Sequence, residues 1–142
     1  MLRALPRPPR RAFFPSFYCQ DVYDACERDV ELAVYADDPR SATLDAHSLE
    51  ALDGTAPADV VIVSNTFALR GAASPVPSDL ANRLASKGVL VIEDHTHDPF
   101  SAWARGSTAD HAFASLRKWL PLPDGGVAWS PSGRASAPPA PA

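Results

Sequence analysis

Thirteen basic residues occur in this 142-residue chain, and only Lys87 and Lys118 are lysines. Lys118 follows Ser115 by three positions within Ser-Leu-Arg-Lys-Trp-Leu-Pro-Leu-Pro-Asp-Gly-Gly (115–126), where a proline-braced loop closes on a glycine pair. A lysine amine condenses with carbonyl compounds, and burial near cations makes it nucleophilic at neutral pH. Lys87 has a plainer explanation, because it stands beside Gly88 at the C-terminus of an expected helix, where positive charge meets the helix dipole. Lys118 has no such explanation, which makes it the candidate Schiff-base lysine. Polar residues also follow two aliphatic runs: Ser64-Asn65 after the first and Glu93-Asp94-His95-Thr96-His97-Asp98 after the second.

These residues admit three readings. His95 and His97, flanked by acids, could ligate zinc in a metal-dependent hydrolase, although His47 and His111 occupy no evident ligand position. A polar strand end with ordinary hydrogen-bonded histidines is the blandest account. The third reading is pyridoxal phosphate (PLP) chemistry. That cofactor needs an amine for its aldehyde, a carboxylate to keep its ring nitrogen protonated, a donor near its ring hydroxyl, and hydroxyls or amides for its phosphate. Lys118, Asp94, His97 or Asn65, and Ser115 meet those needs in a workable order, with no metal involved.

The elements that must position them follow from the hydrophobic pattern. Val60–Val63 and Val89–Ile92 are unbroken aliphatic runs, the mark of strands covered on both faces in a parallel sheet. Between them lies a helix opened by Pro77 and Ser78, with Leu80, Ala81, Leu84 and Ala85 toward the sheet and Gly88 as its stop. This is a βαβ unit. Gln20–Asp29 has helical spacing, Glu31–Tyr35 reads as a short strand, and Phe13–Tyr18 as a loop or short strand. Asp45 caps a helix through Leu52, with Leu49 and Leu52 inward and Gly54 ending it. Ala112–Ala114 and Gly126–Trp129 are strand candidates flanking the Lys118 loop. In open α/β sheets ligands bind beyond the carboxyl ends of the strands, where Asn65, Asp94, His97, Ser115 and Lys118 all fall.

Val91–Asp98, Ala109–Trp119 and Pro121–Gly126 together resemble the fold-type I PLP-dependent enzymes, and within them the DegT/DnrJ/StrS aminotransferase-like group. Gln20–Cys26 and Val63–Phe67 are similar to further segments of that family, so the resemblance covers roughly residues 13–129. The paired Asp-x-x-His and Ser-x-x-Lys motifs with a trailing Gly-Gly carry it. The resemblance implies a three-layer α/β/α fold with a mainly parallel sheet. It implies amino-group transfer through a Lys118 Schiff base, with Lys118 also moving the proton between substrate and cofactor. It places Asp94 on the pyridinium nitrogen, His97 at the ring face or its hydroxyl, Ser115 on the phosphate and Asn65 near the ring oxygen. The implied partners are an amino donor and a keto substrate, in relatives often a nucleotide-linked keto sugar, and the family builds its site across a homodimer.

Relatives run to more than twice this length, with a phosphate-binding helix N-terminus and a small C-terminal domain that have no counterpart here. The sequence therefore reads as the central piece of a large domain, from a truncated or frame-disrupted gene, with weak or no activity alone. An inactive remnant acting as a folded or interaction domain is the alternative. A sheet cut at both ends would expose edges and favour aggregation.

Composition bounds the rest. The chain is 46% hydrophobic and 21% charged with a net charge of −4, which suits one globular domain and gives no electrostatic reason for nucleic-acid or anionic-membrane binding. Cys19 and Cys26 have no metal spacing and would sit two helical turns apart, which suggests reduced thiols in a cytoplasmic protein. Eight of the fifteen prolines fall within residues 1–15 and 131–142. On that basis residues 1–12 (Arg/Pro-rich) and 130–142 (Pro/Ala/Ser) read as disordered tails around a partial PLP-transferase large domain at 13–129.

Overall fold

The computed structural model of the chain describes residues 2, 5, 7–71 and 73–133, without the side chains of Ala46 and Leu49. In chain order the elements are β1 (Arg11–Pro15), α1 (Gln20–Glu27), β2 (Glu31–Tyr35), α2 (Ala46–Asp53), β3 (Val60–Ser64), α3 (Ser78–Ser86), β4 (Leu90–Asp94), α4 (Ala102–Arg105), β5 (His111–Ser115) and β6 (Gly126–Trp129). The strands form one six-stranded sheet in the order β2-β1-β3-β4-β5-β6. The first five run parallel and β6 returns antiparallel to β5.

The two aliphatic runs sit at the centre. All five residues of β3 are buried, and β3 pairs with β4 from Val60↔Leu90 to Ser64↔Asp94. Alternation sends Val61 and Val63 into one core with Leu52, Leu80, Leu84 and Trp103. It sends Val60 and Ile62 into a second core with Phe14, Val30 and Ile92, against which Val22, Tyr23 and Cys26 of α1 pack. The layers are thus α2, α3 and α4 on one face and α1 on the other, which is the α/β/α arrangement expected.

Local signals explain the helices. Asp45 caps α2 by accepting from the Ser48 N–H at 2.7 Å. Leu52 is fully buried, while the Leu49 side chain, also expected inward, lies outside the described residues. In α3 the buried stripe is Leu80 and Leu84. Ala85, expected on that stripe, is exposed, because one step beyond Leu84 turns it off the sheet-facing side. Gly88 adopts the left-handed φ of 73° that ends the helix. Lys87 does stand at the end of α3, and its Nζ donates to the Asp53 carbonyl at the end of α2, 2.7 Å away.

The N-terminal boundary needs correction. Residues 11 and 12, placed in a disordered tail by composition, belong to β1, which lies between β2 and β3. Leu2 and Leu5 are buried in the second core. The cause is Asp59, a fully buried carboxylate just before β3. It accepts from Arg10 Nε and Nη2 at 3.1 Å, from Arg11 Nη2 at 2.9 Å and from the Ala56 N–H at 2.8 Å. A buried carboxylate is tolerated only when paired and hydrogen-bonded. The arginines that made the segment look like a tail are its partners. At the other end, Ser130 Oγ donates to the Asp110 carbonyl at 2.9 Å, and residues 134–142 lie outside the described residues.

Cys19, the residue preceding α1, and Cys26 within it are both free thiols. Among the described residues no helix is long and apolar enough to cross a membrane.

Candidate functional site

Parallel strands share one carboxyl-terminal rim, and three of the strand ends here carry the polar groups. Asp94, the last residue of β4, is registered beside Ser64 of β3 and Phe113 of β5. Its carboxylate accepts from the Tyr18 hydroxyl at 2.7 Å and from the Thr96 N–H at 2.9 Å. Burial and the neighbouring Asp94 charge push the Tyr18 pKa well above its usual value, so the phenol remains a donor. Two of the roughly four acceptor positions of the Asp94 carboxylate are thereby used, which leaves room for a further donor.

Thr96 joins this turn to the one after β5. Its Oγ1 accepts from the Ser115 N–H at 3.1 Å, and its carbonyl accepts from Trp119 Nε1–H at 2.8 Å. Beyond Ser115 the chain enters a 3-10 turn, Leu116–Lys118, that swings Lys118 back over the rim. Its Nζ comes to 3.3 Å from His97 Nε2. The other ring nitrogen of His97, Nδ1, accepts from the Phe67 N–H at 2.7 Å. The Phe67 ring lies flat on the imidazole, with centroids 5.2 Å apart and planes 9° from parallel. Burial, then the Lys118 charge, lower the His97 pKa below its usual value.

The structure therefore brings Asp94, His97, Ser115 and Lys118 together, and it separates Asn65 from them. Asn65 is 3% exposed. Its Nδ2 donates to Asp98 Oδ2 at 2.9 Å and its Oδ1 accepts from the Arg70 N–H at 2.9 Å. An amide committed at both ends holds the turn after β3 and does not face the rim, so the expected role near a cofactor ring oxygen does not fit it. Arg70 is held in turn by the buried Asp37 carboxylate. A cleft of about 430 Å³ is lined by Phe17, Phe67, Leu69 and Asp37–Arg40.

His95 and Glu93, left unassigned because alternation points them away from Asp94, do point inward. His95 Nε2 lies 2.9 Å from Glu93 Oε2 and its Nδ1 lies 3.0 Å from Asp98 Oδ1. Both nitrogens are thus engaged by carboxylates, and His97 faces Phe67 and Lys118 instead. No group of three His, Cys, Asp or Glu side chains among the described residues could hold a metal ion. His95 and His97, which strict alternation would place on one face, are sent apart by the turn after β4.

Tyr18, Thr96, Phe67 and Trp119 are site residues that the sequence reading missed. Tyr18 and Trp119 carried a usable signal, each being an aromatic with a polar atom within three residues of a strand end or of Lys118. Phe67 carried none. Its left-handed backbone, φ 58°, is one that a phenylalanine rarely adopts and that no sequence pattern announces.

No protein-family model and no curated protein matches the sequence. Solved structures do match the fold. An aminotransferase of the DegT/DnrJ/EryC1/StrS type from Brucella abortus superposes with a TM-score of 0.61 at 19% identity, over 88% of this chain and 36% of its own. A serine palmitoyltransferase from S. paucimobilis, solved with bound PLP, gives 0.61 at 14% identity over 88% and 34%. A sphingosine-1-phosphate lyase from Burkholderia pseudomallei gives 0.60 at 15% identity over 87% and 31%. At these identities the likeness is one of fold, and the chain spans about a third of the length of each structure.

Proposed function

We propose that this chain, whose fold is that of the fold-type I PLP-dependent enzymes, holds PLP on Lys118 and serves amino-group transfer between an amino acid and a keto compound. The observation that supports it is the meeting of Asp94 from β4 with His97 and Lys118 on one rim, where Lys118 Nζ stands 3.3 Å from His97 Nε2. The donor set fits the cofactor: Asp94 has acceptor capacity left for a ring N–H, and His97 offers a flat face backed by Phe67. PLP, when bound, supplies the electron sink for the carbanion.

The chain's own residues do the rest. Lys118 Nζ would hold the cofactor and would move the proton at the substrate Cα. Asp94, steadied by Tyr18 and Thr96, keeps the ring nitrogen protonated. Ser115, tied to Thr96 through its N–H, offers its hydroxyl to the phosphate. A nucleotide-linked keto sugar is the substrate class we favour, on a homodimer, in the cytoplasm, by resemblance to the DegT/DnrJ/StrS group.

Purified chain mixed with PLP should develop a long-wavelength absorbance band, and borohydride should then fix the cofactor on the peptide containing Lys118. Fixation on Lys87, or no band, overturns the assignment. A second reading is a folded or interaction domain without activity. It is favoured by the exposed Trp119, Leu120, Leu122 and Val127 in and before β6, and it predicts that no band forms.

A further inference from the structure

Two Asp-Gly steps occur in the sequence, Asp53-Gly54 and Asp124-Gly125, and the fold treats their peptide bonds differently. A glycine after an aspartate has no side chain to keep its nitrogen away from the carboxyl carbon. Gly54 ends α2 with a helical φ of −73°, and its N–H donates into the helix, to the Ala51 and Leu52 carbonyls. The Asp53 carboxylate is turned toward Arg83, whose Nε stands 3.3 Å from Oδ1, and the Asp53 carbonyl is held by Lys87. Gly125 lies instead in the exposed loop before β6. Its φ of 130° is one that other residues rarely adopt, and a β-carbon there would meet nothing within 4 Å. Its N–H donates to the carboxylate of the residue before it, Asp124 Oδ1, at 2.7 Å. The carboxyl carbon is one bond beyond that oxygen, so nitrogen and carbon are already held as neighbours.

We propose that Asp124-Gly125 is a site of self-modification to isoaspartate, that Asp53-Gly54 is protected by its helix, and that the change loosens the Lys118 turn. The Gly125 nitrogen bonds to Asp124 Cγ while the hydroxyl of the protonated carboxyl leaves, taking the amide proton with it as water. Water then reopens the five-membered succinimide. Attack at Cγ restores aspartate. Attack at the Asp124 main-chain carbonyl breaks the original peptide bond and leaves the chain running through Cγ. One water is lost and one regained, and no oxidant or other reactant is consumed. The main chain now holds an extra methylene between Pro123 and Gly125. The Gly125 carbonyl accepts from the Leu116 N–H at 3.1 Å, and Gly126 is registered against Ser115. Leu116 opens the 3-10 turn that carries Lys118, so displacing that carbonyl unties the base of the turn. Nothing in this inference requires PLP.

The test ages the full chain at physiological temperature in mildly acidic buffer. Peptide mass spectrometry with electron-transfer fragmentation, which separates isoaspartate from aspartate, reads positions 53 and 124. Isoaspartate should accumulate about tenfold faster at 124, the factor for a helical hydrogen bond that must open first at 53. In urea the two steps should approach a common rate. Equal rates in the folded chain, a faster Asp53, or an excess at 124 that persists unchanged in urea overturns the proposal. At neutral pH Asp124→Asn should convert faster than wild type, releasing ammonia in place of water, because an uncharged amide admits the attack that a carboxylate resists. An unconverted Asp124→Asn chain overturns it. Hydrogen exchange at the Leu116 N–H should be faster in the aged chain than in the fresh one, and unchanged exchange overturns the loosening. PLP fixation on Lys118 is read on fresh chain, so failure of the cofactor reading and failure of this one stay distinct.

Discussion

Residues 93–98 carry two carboxylate–histidine groupings, set apart by the turn that follows β4. Glu93, His95 and Asp98 face inward at 4%, 0% and 6% exposure. Asp94 and His97 face the rim, half-buried, beside the exposed Lys118. In the inner group every ring nitrogen is matched by a carboxylate, His95 is packed between Trp103 and Trp129, and Asn65 binds the remaining oxygen of Asp98. In the outer group Asp94 retains acceptor capacity and Lys118 is open to solvent. The same residue types thus make a truss on one face and an open, partly unsatisfied rim on the other. What separates them is spare hydrogen-bonding capacity and access, which a motif does not record.

The contrast is broken most directly by removing one partner from each side. Glu93→Ala leaves a buried imidazolium short of a counter-charge, and losing one partner of a buried pair costs about 3–5 kcal/mol. Asp94→Asn keeps one carbonyl oxygen for the Thr96 N–H, and its amide can donate to the Tyr18 hydroxyl oxygen, so it should cost about 1 kcal/mol or less, while removing the charge that the proposed function assigns to a ring N–H. Urea unfolding of both variants measures this. Equal losses would mean that the rim is as structural as the interior.

A smaller effect should appear in pH. Burial pulls the His95 pKa down, but the hydrogen bonds and charges of Asp98 and Glu93 outweigh it and raise it from 6.5 to about 9. The folded state therefore holds a proton that the unfolded state has given up. The resulting stability is fully present below about pH 6.5 and is lost as pH rises through about 9. His97 has the opposite sign, because its folded pKa is depressed. Its contribution is present above the unfolded pKa and is lost as pH falls through the folded one. Urea midpoints should accordingly decline on both limbs. His97→Gln should lessen only the acid decline, and an unchanged acid limb would show that His97 does not hold its rim contacts in solution.

The parts of this fold that the sequence made legible are those whose signal is local. The aliphatic runs of β3 and β4 announced strands covered on both faces, Asp45 announced a cap, and Gly88 announced a helix end. The rim positions of Asp94, His97, Ser115 and Lys118 followed because parallel strands end on one side. What stayed hidden depended on partners far along the chain. Arg10 and Arg11 looked like tail residues until Asp59, some fifty positions away, matched their charge. Asn65 looked like a rim donor because nothing in its neighbourhood discloses Asp98 as its acceptor. Tyr18 reaches Asp94 across 76 positions. Composition describes a residue's own chemistry, whereas burial of a charge is decided by a pair.

The least of the expected effects tests whether the rim gives up stability for geometry. A left-handed non-glycine residue costs about 1–2 kcal/mol, and glycine removes that cost while adding about 0.5–1 kcal/mol of chain entropy on folding. Phe67→Gly should therefore lie between no change and a gain of about 1.5 kcal/mol, because the ring it deletes is largely in solvent. Ala68→Gly, at the adjoining left-handed position, should fall in the same range. The two should part in reactivity. Phe67→Gly keeps the N–H but loses the ring that lies on the imidazole, so borohydride fixation of PLP on Lys118 should fall. Ala68→Gly should leave it unchanged. Should Phe67→Gly instead destabilise by more than about 1 kcal/mol, beyond the backbone term, the ring would be packing like the interior tryptophans. The outer grouping would then be a second truss, and the division between the two faces of β4 would fail at the residue where it is most exposed.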